Sequence, residues 1–203
     1  MNLSDVGPLT LEHLYLVVIG SCIGGGVGFL LAIWVRRRPR WAAASIGLAE
    51  VVQTLPGIAL LAFLLLVFGL GDTTVIVALS LYSILPVLSS TYVGLDNVDP
   101  VYLGIGKGMG MTPGEIFRQI ELPLAFPVIL SGVRIALVTS IGIATIGVFV
   151  GGGGLGVLIY RGLQTIDTQT MLAGAIPAAF LAILIEVGLS LWERRLARAT
   201  SSK

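Results

Sequence analysis

Long stretches without a charged residue are the feature that most restricts how this chain can fold. Residues 14–35, 51–71 and 73–95 contain no Asp, Glu, Lys or Arg. A helix over the first stretch rises about 33 Å at ~1.5 Å per residue, which is enough to cross a hydrocarbon layer ~30 Å thick. Two further apolar segments, about 126–150 and 168–192, hold one charge each. The pattern predicts an all-α integral membrane protein with about five transmembrane helices.

The overall composition excludes several other classes of protein. Charged residues make up 11% of the chain, against about 25% in soluble domains, and the high apolar content excludes disorder. A net charge of +1 provides no basic face for nucleic acid. Cys22 is the only cysteine and His13 the only histidine, so we expect neither an internal disulfide nor a metal site.

The basic residues fall almost entirely on one side of the predicted membrane. Ten of the 12 Lys and Arg residues follow the first, third or fifth span: Arg36, Arg37, Arg38, Arg40, Lys107, Arg118, Arg194, Arg195, Arg198 and Lys203. Short loops rich in Lys and Arg stay in the cytoplasm. We therefore expect a short external N-terminus at 1–10, a membrane domain at 11–192 and a basic cytoplasmic tail at 193–203.

Three charged residues lie inside or near the predicted spans. Glu50 and Glu186 fall close to the expected cytoplasmic interface, where solvation explains them. Arg134 lies about two turns into the fourth span. Its long side chain can extend toward the interface or meet one of the two glutamates.

Glycines mark two places in the chain. Gly20, Gly24 and Gly28 share one face of the first span, which predicts close packing against a neighbouring helix, with a subunit contact as the alternative.

The second glycine cluster lies in the connection 151–167. Its sequence Gly-Gly-Gly-Gly-Leu-Gly satisfies the dinucleotide-binding pattern, but a membrane span precedes it and no acidic residue follows at the required distance. We predict a tight non-helical turn or re-entrant piece near the outer face. An outer gate would be formed by Gly151, Gly152, Gly153 and Gly154.

Residues 96–123 are too polar to span a membrane and lie on the expected cytoplasmic side. Pro100 suits the first turn of one short helix. Thr112, Pro113 and Glu115 suit the N-cap and first turn of a second helix, which we expect Pro123 to stop. Two short helices joined by a glycine-rich bend suit insertion into a groove on a partner protein. A structured connector without a partner is the alternative.

The same segment resembles a signature loop. Gly110 is followed after nine residues by Ile120, Glu121, Leu122 and Pro123. This spacing resembles the loop of the inner-membrane permeases of bacterial ABC importers, whose pattern is Glu-Ala-Ala, three residues, Gly, nine residues, Ile, any residue, Leu-Pro. The chain departs from the pattern at 104–106, which read Gly-Ile-Gly. The resemblance implies coupling to an ATPase through Gly104, Gly106, Lys107, Gly108, Gly110, Thr112, Glu115, Ile120, Leu122 and Pro123.

Other segments resemble one subgroup of that family, the permeases for glycine betaine, carnitine and choline. They include QTLPGIALLAFLL at 53–65, ELPLAFPVILSGVR at 121–134 and GVFVGGGGLGVLI at 147–159. The resemblance implies a type I importer permease with a coupling loop at 96–123, in the inner membrane of a bacterium or archaeon. It also implies a second permease subunit, two ATPase subunits that hold ATP and Mg²⁺, and an external solute-binding protein, with lipid around the spans.

The chain itself has no G-x-x-x-x-G-K-[ST] phosphate loop, so we expect no cofactor and no enzymatic activity of its own. Aromatic faces attract quaternary ammonium groups, and Tyr82, Tyr92 and Phe149 are candidates to line a path for such a cargo. The alternatives are an ABC permease for another small solute, an ion-coupled secondary transporter and a membrane scaffold.

Overall fold

The computed structural model describes residues 5–201, and the side chains of residues 5–196. Residues 1–4 of the expected external N-terminus and the side chains of Arg198 and Lys203 in the expected tail lie outside the described residues. The described chain is almost entirely helical. Its α-helices are α1 (Val6–Val35), α2 (Pro39–Thr54), α3 (Gly57–Phe68), α4 (Asp72–Asp96), α5 (Pro100–Gly108), α6 (Pro113–Ile116), α7 (Leu122–Ile146), α8 (Gly156–Thr165) and α9 (Thr168–Ser201).

Four helical segments are each long and apolar enough to cross a membrane: α1, α4, the segment Pro113–Val150 that contains α7, and α9. The bent pair α2–α3 makes a fifth candidate span, so the prediction of an all-α protein with about five spans is confirmed. The helices extend beyond the uncharged runs. α1 begins at Val6, and α9 continues through the expected tail to Ser201.

The second predicted span is bent: α2 and α3 meet at an angle of 99°. Leu55, between the two helices, has an extended backbone with ψ of 131°. Pro56 follows it, and a proline disfavours the helical conformation of the residue before it. The dipeptide Pro56-Gly57 was the signal for this break in the sequence.

Two hydrogen bonds join the bent pair to α4. They satisfy two backbone carbonyls, one at the break and one in α4 that Pro86 leaves without a partner. Pro86 lies inside α4 and has no N–H, so the carbonyl of Tyr82, four residues earlier, has no partner within the helix. Gln53 Nε2 donates to that carbonyl at 2.9 Å. The Tyr82 hydroxyl in turn donates to the carbonyl of Leu55. These two bonds fix the bent pair against α4.

The glycine face of α1 packs against α4, as predicted. A Cβ atom on Gly24 would lie 2.0 Å from the carbonyl oxygen of Ser80, and one on Gly28 would lie 2.6 Å from that of Ile84. Gly20 faces Leu79 in the same way. Only residues without a side chain allow two helix backbones to approach this closely.

Three buried hydroxyl groups join α1, α4 and α7 at the centre of the bundle. Ser21 Oγ donates to Ser140 Oγ at 3.0 Å. Ser83 Oγ lies 3.2 Å from Ser140 Oγ and 3.4 Å from Ser21 Oγ. All three serines are buried, and their mutual hydrogen bonds satisfy polar groups that would otherwise lie unpaired in an apolar core.

Charged side chains also join α7 to α9. The Arg134 guanidinium contacts the Glu186 carboxylate, and its Nε lies 3.3 Å from Glu193 Oε2. Of the two possibilities for Arg134, the structure therefore shows the contact with a glutamate of the last span. Phe126 of α7 and Trp192 of α9 stack edge to face beside it, with ring centroids 6.2 Å apart.

The connection after α7 contains a helix that we did not predict, because the many glycines there favoured a non-helical segment. A 3₁₀ turn (Gly147–Val150) and a non-helical turn lead into α8, which covers much of the segment predicted as a connection. Two glycines, one in α8 and one in α9, allow these helices to pack closely. A Cβ atom on Gly162 would lie 2.4 Å from the backbone nitrogen of Met171, and one on Gly174 would lie 2.7 Å from the carbonyl oxygen of Leu155. α8 therefore lies directly on α9.

Candidate functional site

The segment between α4 and α7 begins as the sequence predicts. Asp99 is the N-cap of α5, and its Oδ1 accepts a hydrogen bond from the Val101 backbone nitrogen at 2.8 Å. Pro100 occupies the first turn, where its missing N–H leaves no helix bond unmade. A short helix of nine residues is thus started by its own local sequence.

Gly110 makes the bend between the two short helices. Its φ of +80° lies in the left-handed region, which strains any residue with a Cβ atom. The Gly110 N–H donates to the carbonyl of Lys107 at 3.0 Å, and the Met111 N–H donates to that of Gly106 at 3.1 Å. This pair of bonds is a Schellman motif, which satisfies the last carbonyls of α5. The predicted glycine bend is confirmed.

A capping box starts the second short helix, also as predicted. The Glu115 backbone nitrogen donates to Thr112 Oγ1 at 3.3 Å, and the Thr112 backbone nitrogen donates to Glu115 Oε2 at 2.7 Å. The Thr112 hydroxyl donates to the same carboxylate oxygen at 2.7 Å. These bonds favour the charged carboxylate and hold the pKa of Glu115 below its ordinary value.

The expectation that Pro123 stops this helix is wrong. α6 passes into a π-helical segment (Phe117–Glu121) and then directly into α7. The Leu122 N–H donates to the carbonyl of Phe117, five residues back. Pro123 lies in the first turn of α7, directly after the wider π turn. The second short helix is therefore continuous with a membrane span.

The two short helices pack through a glycine. Gly106 is buried, and a Cβ atom there would lie 2.7 Å from Ile120 Cδ1 and 3.2 Å from Ile116 Cγ1. Leu122 is half-buried. It packs beside an apolar cluster at the base of the loop, which consists of Leu95, Val98, Ala125 and Ile129. The inner face of α5 is therefore held by the helix that leads into α7.

The outer face of α5 is apolar, and none of the residues that the structure describes covers it. Val101, Tyr102, Ile105 and Met109 are exposed, Met109 to 76%. Gly104, Lys107 and Gly108 are exposed beside them, and Gly104 has open space around it. A rigid helix with an apolar stripe, outside the spans, has the form of a surface that inserts into a partner's groove.

Sequence reasoning missed a contact between this loop and α1. Arg36, directly after α1, contacts the Glu121 carboxylate and lies over the Phe117 ring. The basic run after α1, Arg36-Arg37-Arg38-Pro39-Arg40, indicates only the orientation of the chain in the membrane. The pairing of Arg36 with a residue 85 positions later leaves no trace in the local pattern.

The three aromatic candidates for a transport path lie apart. Tyr82 and Tyr92 are ten residues apart on α4, about 15 Å at the rise of an α-helix. Tyr82 is buried, with its hydroxyl on Leu55, and Tyr92 lies beside the Arg36 side chain. Phe149 is exposed near the other end of the bundle, with its ring centroid 5.2 Å from that of Tyr160. The structure does not bring the three together.

The glycines proposed as an outer gate form a tight turn, as predicted, and two carboxylates hold it. The Gly153 N–H donates to Asp72 Oδ1 at 3.1 Å, and the Gly154 N–H donates to Glu12 Oε2 at 2.9 Å. Gly151 and Gly154 have φ of +77° and +84°. Gly152 is packed against Val75, where a Cβ atom would lie 2.5 Å from Val75 Cγ2. The turn thus ties the ends of α1 and α4 to the segment after α7.

The fold and the loop define a class: a helical membrane protein with about five candidate spans and a loop of two short, packed helices between two of them. Residues 24–202 match the family model described as the binding-protein-dependent transport system inner membrane component. The chain belongs to this family. It is a multi-span inner-membrane component of a transport system, and such systems use a separate solute-binding protein.

Relatives of known name agree with this assignment. The chain is 46% identical over 186 residues to the carnitine transport permease protein OpuCD of Listeria monocytogenes. These residues cover 91% of this chain and 83% of the relative. It is 44% identical over 193 residues to the glycine betaine/carnitine/choline transport system permease protein OpuCD of Bacillus subtilis, covering 95% and 84%. It is 42% identical over 190 residues to the choline transport system permease protein OpuBB of Bacillus subtilis, covering 94% and 88%.

Solved structures share the fold. A structure of the MetNI methionine ABC transporter in an inward-facing conformation matches with a TM-score of 0.79 and 22% identity, over 92% of this chain and 93% of that one. An amino acid ABC transporter crystallised with histidines matches with a TM-score of 0.75 and 21% identity, over 95% and 96%. The chain has the all-α fold of type I ABC importer permeases.

Proposed function

We propose that this chain is the permease subunit of an ATP-driven importer for a quaternary ammonium osmoprotectant: glycine betaine, choline or carnitine. Three relatives at 42–46% identity carry these solutes in their names, and the similarity extends over more than nine-tenths of the chain. The cargo class follows from this similarity along the spans, and the receptor that delivers the cargo makes the final selection.

The loop 96–123 couples the permease to a separate ATPase. The observation that carries this proposal is the apolar face of α5, which is exposed among the described residues and is backed by α6 through Gly106. α6 in turn continues without interruption into α7. Lys107 and Arg118 place the loop on the side that holds most basic residues. This is the cytoplasmic side under the positive-inside rule, so the N-terminus faces outward and the C-terminus inward. The apolar face of α5 inserts into a groove of the ATPase. Position 104 is glycine where the signature pattern has glutamate, so a glutamate makes no contribution there.

The working transporter contains a second permease subunit, the same or similar, two ATPase subunits that hold ATP and Mg²⁺, and an external solute-binding protein. This chain supplies the path, and its partners supply nucleotide hydrolysis and solute capture, since no phosphate loop of the G-x-x-x-x-G-K-[ST] type occurs in it. Tyr82, Tyr92 and Phe149 contribute to the path at different depths. The turn at Gly151–Gly154 closes its outer end.

Reconstitution tests the proposal. The chain is purified from its host with the subunits that remain bound, and uptake of labelled glycine betaine, choline and carnitine is measured in proteoliposomes. We expect uptake that requires ATP and the binding protein and persists without ion gradients. Uptake driven by an ion gradient would indicate a secondary transporter, transport of only other solutes would refute the cargo class, and absence of an ATPase partner would favour a scaffold.

Substitution of Gly110 tests the coupling loop separately. At φ of +80° any side chain strains the bend, although open space surrounds it, so Gly110→Asp should displace α5 relative to α6 without a clash. We expect the variant to insert normally and to lose most cargo-stimulated ATP hydrolysis and uptake, about tenfold or more. Gly47→Ala is the control, because Gly47 also has open space and lies in α2. Normal uptake and ATP hydrolysis in Gly110→Asp would contradict the placement of the coupling segment.

A further inference from the structure

Arg36 makes two contacts with the loop from the end of α1. Its guanidinium contacts the Glu121 carboxylate, and the guanidinium carbon lies 4.2 Å from the centroid of the Phe117 ring. The Arg36 side chain is 18% exposed and that of Glu121 is 15% exposed. An ion pair this well covered is less screened by water and salt than a surface pair, and it holds a more defined geometry.

The π-helical segment presents both partners to Arg36. Phe117 and Glu121 are its first and last residues, one turn apart on the same face. π-helical turns occur frequently at functional sites. Arginine suits this position better than lysine, because its planar guanidinium can pair with a carboxylate and stack on an aromatic ring at once.

α1 differs from α4 and α7 in how the loop can act on it. The loop continues the backbone of α4 and runs without interruption into α7, so a displacement of the loop reaches both helices through covalent structure. α1 has no such covalent connection; apart from its packing on α4, the loop reaches it through side-chain contacts. Phe29 and Ile33 of α1 pack beside the apolar cluster at the base of the loop, and Arg36 adds a charged link to the π segment itself.

We propose that Arg36, Phe117 and Glu121 form a positioning joint that carries movement of the coupling loop into α1. This inference rests on the proposed function, because it presupposes that an ATPase moves the loop. The joint makes α1 follow α4 and α7 as one body during the transport cycle. Without it, the ATPase still binds and hydrolyses ATP, but part of its motion is lost between the loop and the first span.

The test compares cargo uptake and ATP hydrolysis in the same proteoliposomes, with the whole transporter and its binding protein. We expect Arg36→Ala and Glu121→Gln to lower the uptake per ATP hydrolysed by about tenfold, while basal ATP hydrolysis is retained. Arg37→Ala is the matched control, since Arg37 is the exposed neighbour with the same charge. The double variant Arg36→Ala with Glu121→Gln should be no worse than the poorer single variant, because both changes break the same pair.

Different failures have different meanings. Equal uptake per ATP in Arg36→Ala and Arg37→Ala, or losses that multiply in the double variant, would overturn the joint. Should Arg36→Ala fail to accumulate in the membrane, Glu121→Gln decides alone, because it keeps the size of the side chain and removes only the charge. Absence of ATP-driven uptake in the unaltered chain would refute the proposed function, and the joint with it.

Discussion

At the scale of single residues, the loop is shaped by local hydrogen bonds that the sequence alone could predict. Asp99, Thr112 and Glu115 are residue types that cap helices, and Gly110 is the type that ends them. Each acts on backbone groups within a few positions, so its role follows from nearest neighbours. The geometry of the bend therefore needs no contact with the rest of the protein.

The capping box makes one prediction about pH. Hydrogen bonds from Thr112 lower the pKa of Glu115 from its ordinary value of 4.5. A carboxyl group with a lowered pKa in the folded state stabilises that state above its ordinary pKa, and the contribution is lost as the pH falls through the lowered value. Thr112→Val removes the hydroxyl donor, so the pKa of Glu115 should rise toward 4.5. Titration of the Glu115 carboxyl carbon by NMR checks this, and an unchanged pKa would show that the box does not persist in the membrane protein.

Contacts between residues distant in sequence were beyond this kind of prediction. Arg36 belongs to a basic run that indicates the orientation of the chain, and Glu121 follows Ile120 at a position that the signature pattern leaves unspecified. Their pairing depends on where α1 ends relative to the π segment. Likewise Ile166 ends α8 with φ of +53°, a conformation that favours glycine, so the C-terminus of α8 has no mark in the sequence.

At the scale of the helices, the length of the apolar segments predicted the four long spans well, because a bilayer admits few alternatives. The ends of the helices and the breaks within them were harder to predict from the sequence. α1 and α9 extend past their apolar runs, α1 at its N-terminal end and α9 at its C-terminal end. The bend after α2 and the π segment before α7 both lie beside prolines, and whether a proline ends, bends or merely widens a helix depends on which tertiary contacts satisfy the freed carbonyl.

The packing of α1 on α4 makes a prediction at this scale. A Cβ atom on Gly24 would lie 2.0 Å from the Ser80 carbonyl oxygen, so Gly24→Ala must push the two helices apart. We expect a loss of stability of roughly 1–3 kcal/mol, typical of overpacking, seen as a lower melting midpoint of the purified protein in detergent. Gly26→Ala is the control, because Gly26 has no atom in contact range and lies on the same helix. Equal midpoints for the two variants would mean that this interface is looser than described.

At the scale of the whole molecule, α4 and α7 are joined through the loop, and α1 packs against both of them. The loop carries an apolar face that nothing in the described part of the chain covers. At the other end of the bundle, Asp72 and Glu12 hold the glycine turn. Under the proposed function, a motor acting on the loop at one end and the glycine turn at the other end provide two elements for alternating access.

The side of the membrane on which the loop lies tests the central claim most directly. Cysteines are placed at Lys107 and Arg118, both exposed, after Cys22, the only native cysteine, is replaced by alanine. A membrane-impermeant thiol reagent is then applied to vesicles of each orientation. The account predicts labelling only from the cytoplasmic face, with labelling reduced when the ATPase subunits are bound. Labelling from the external face would contradict the account.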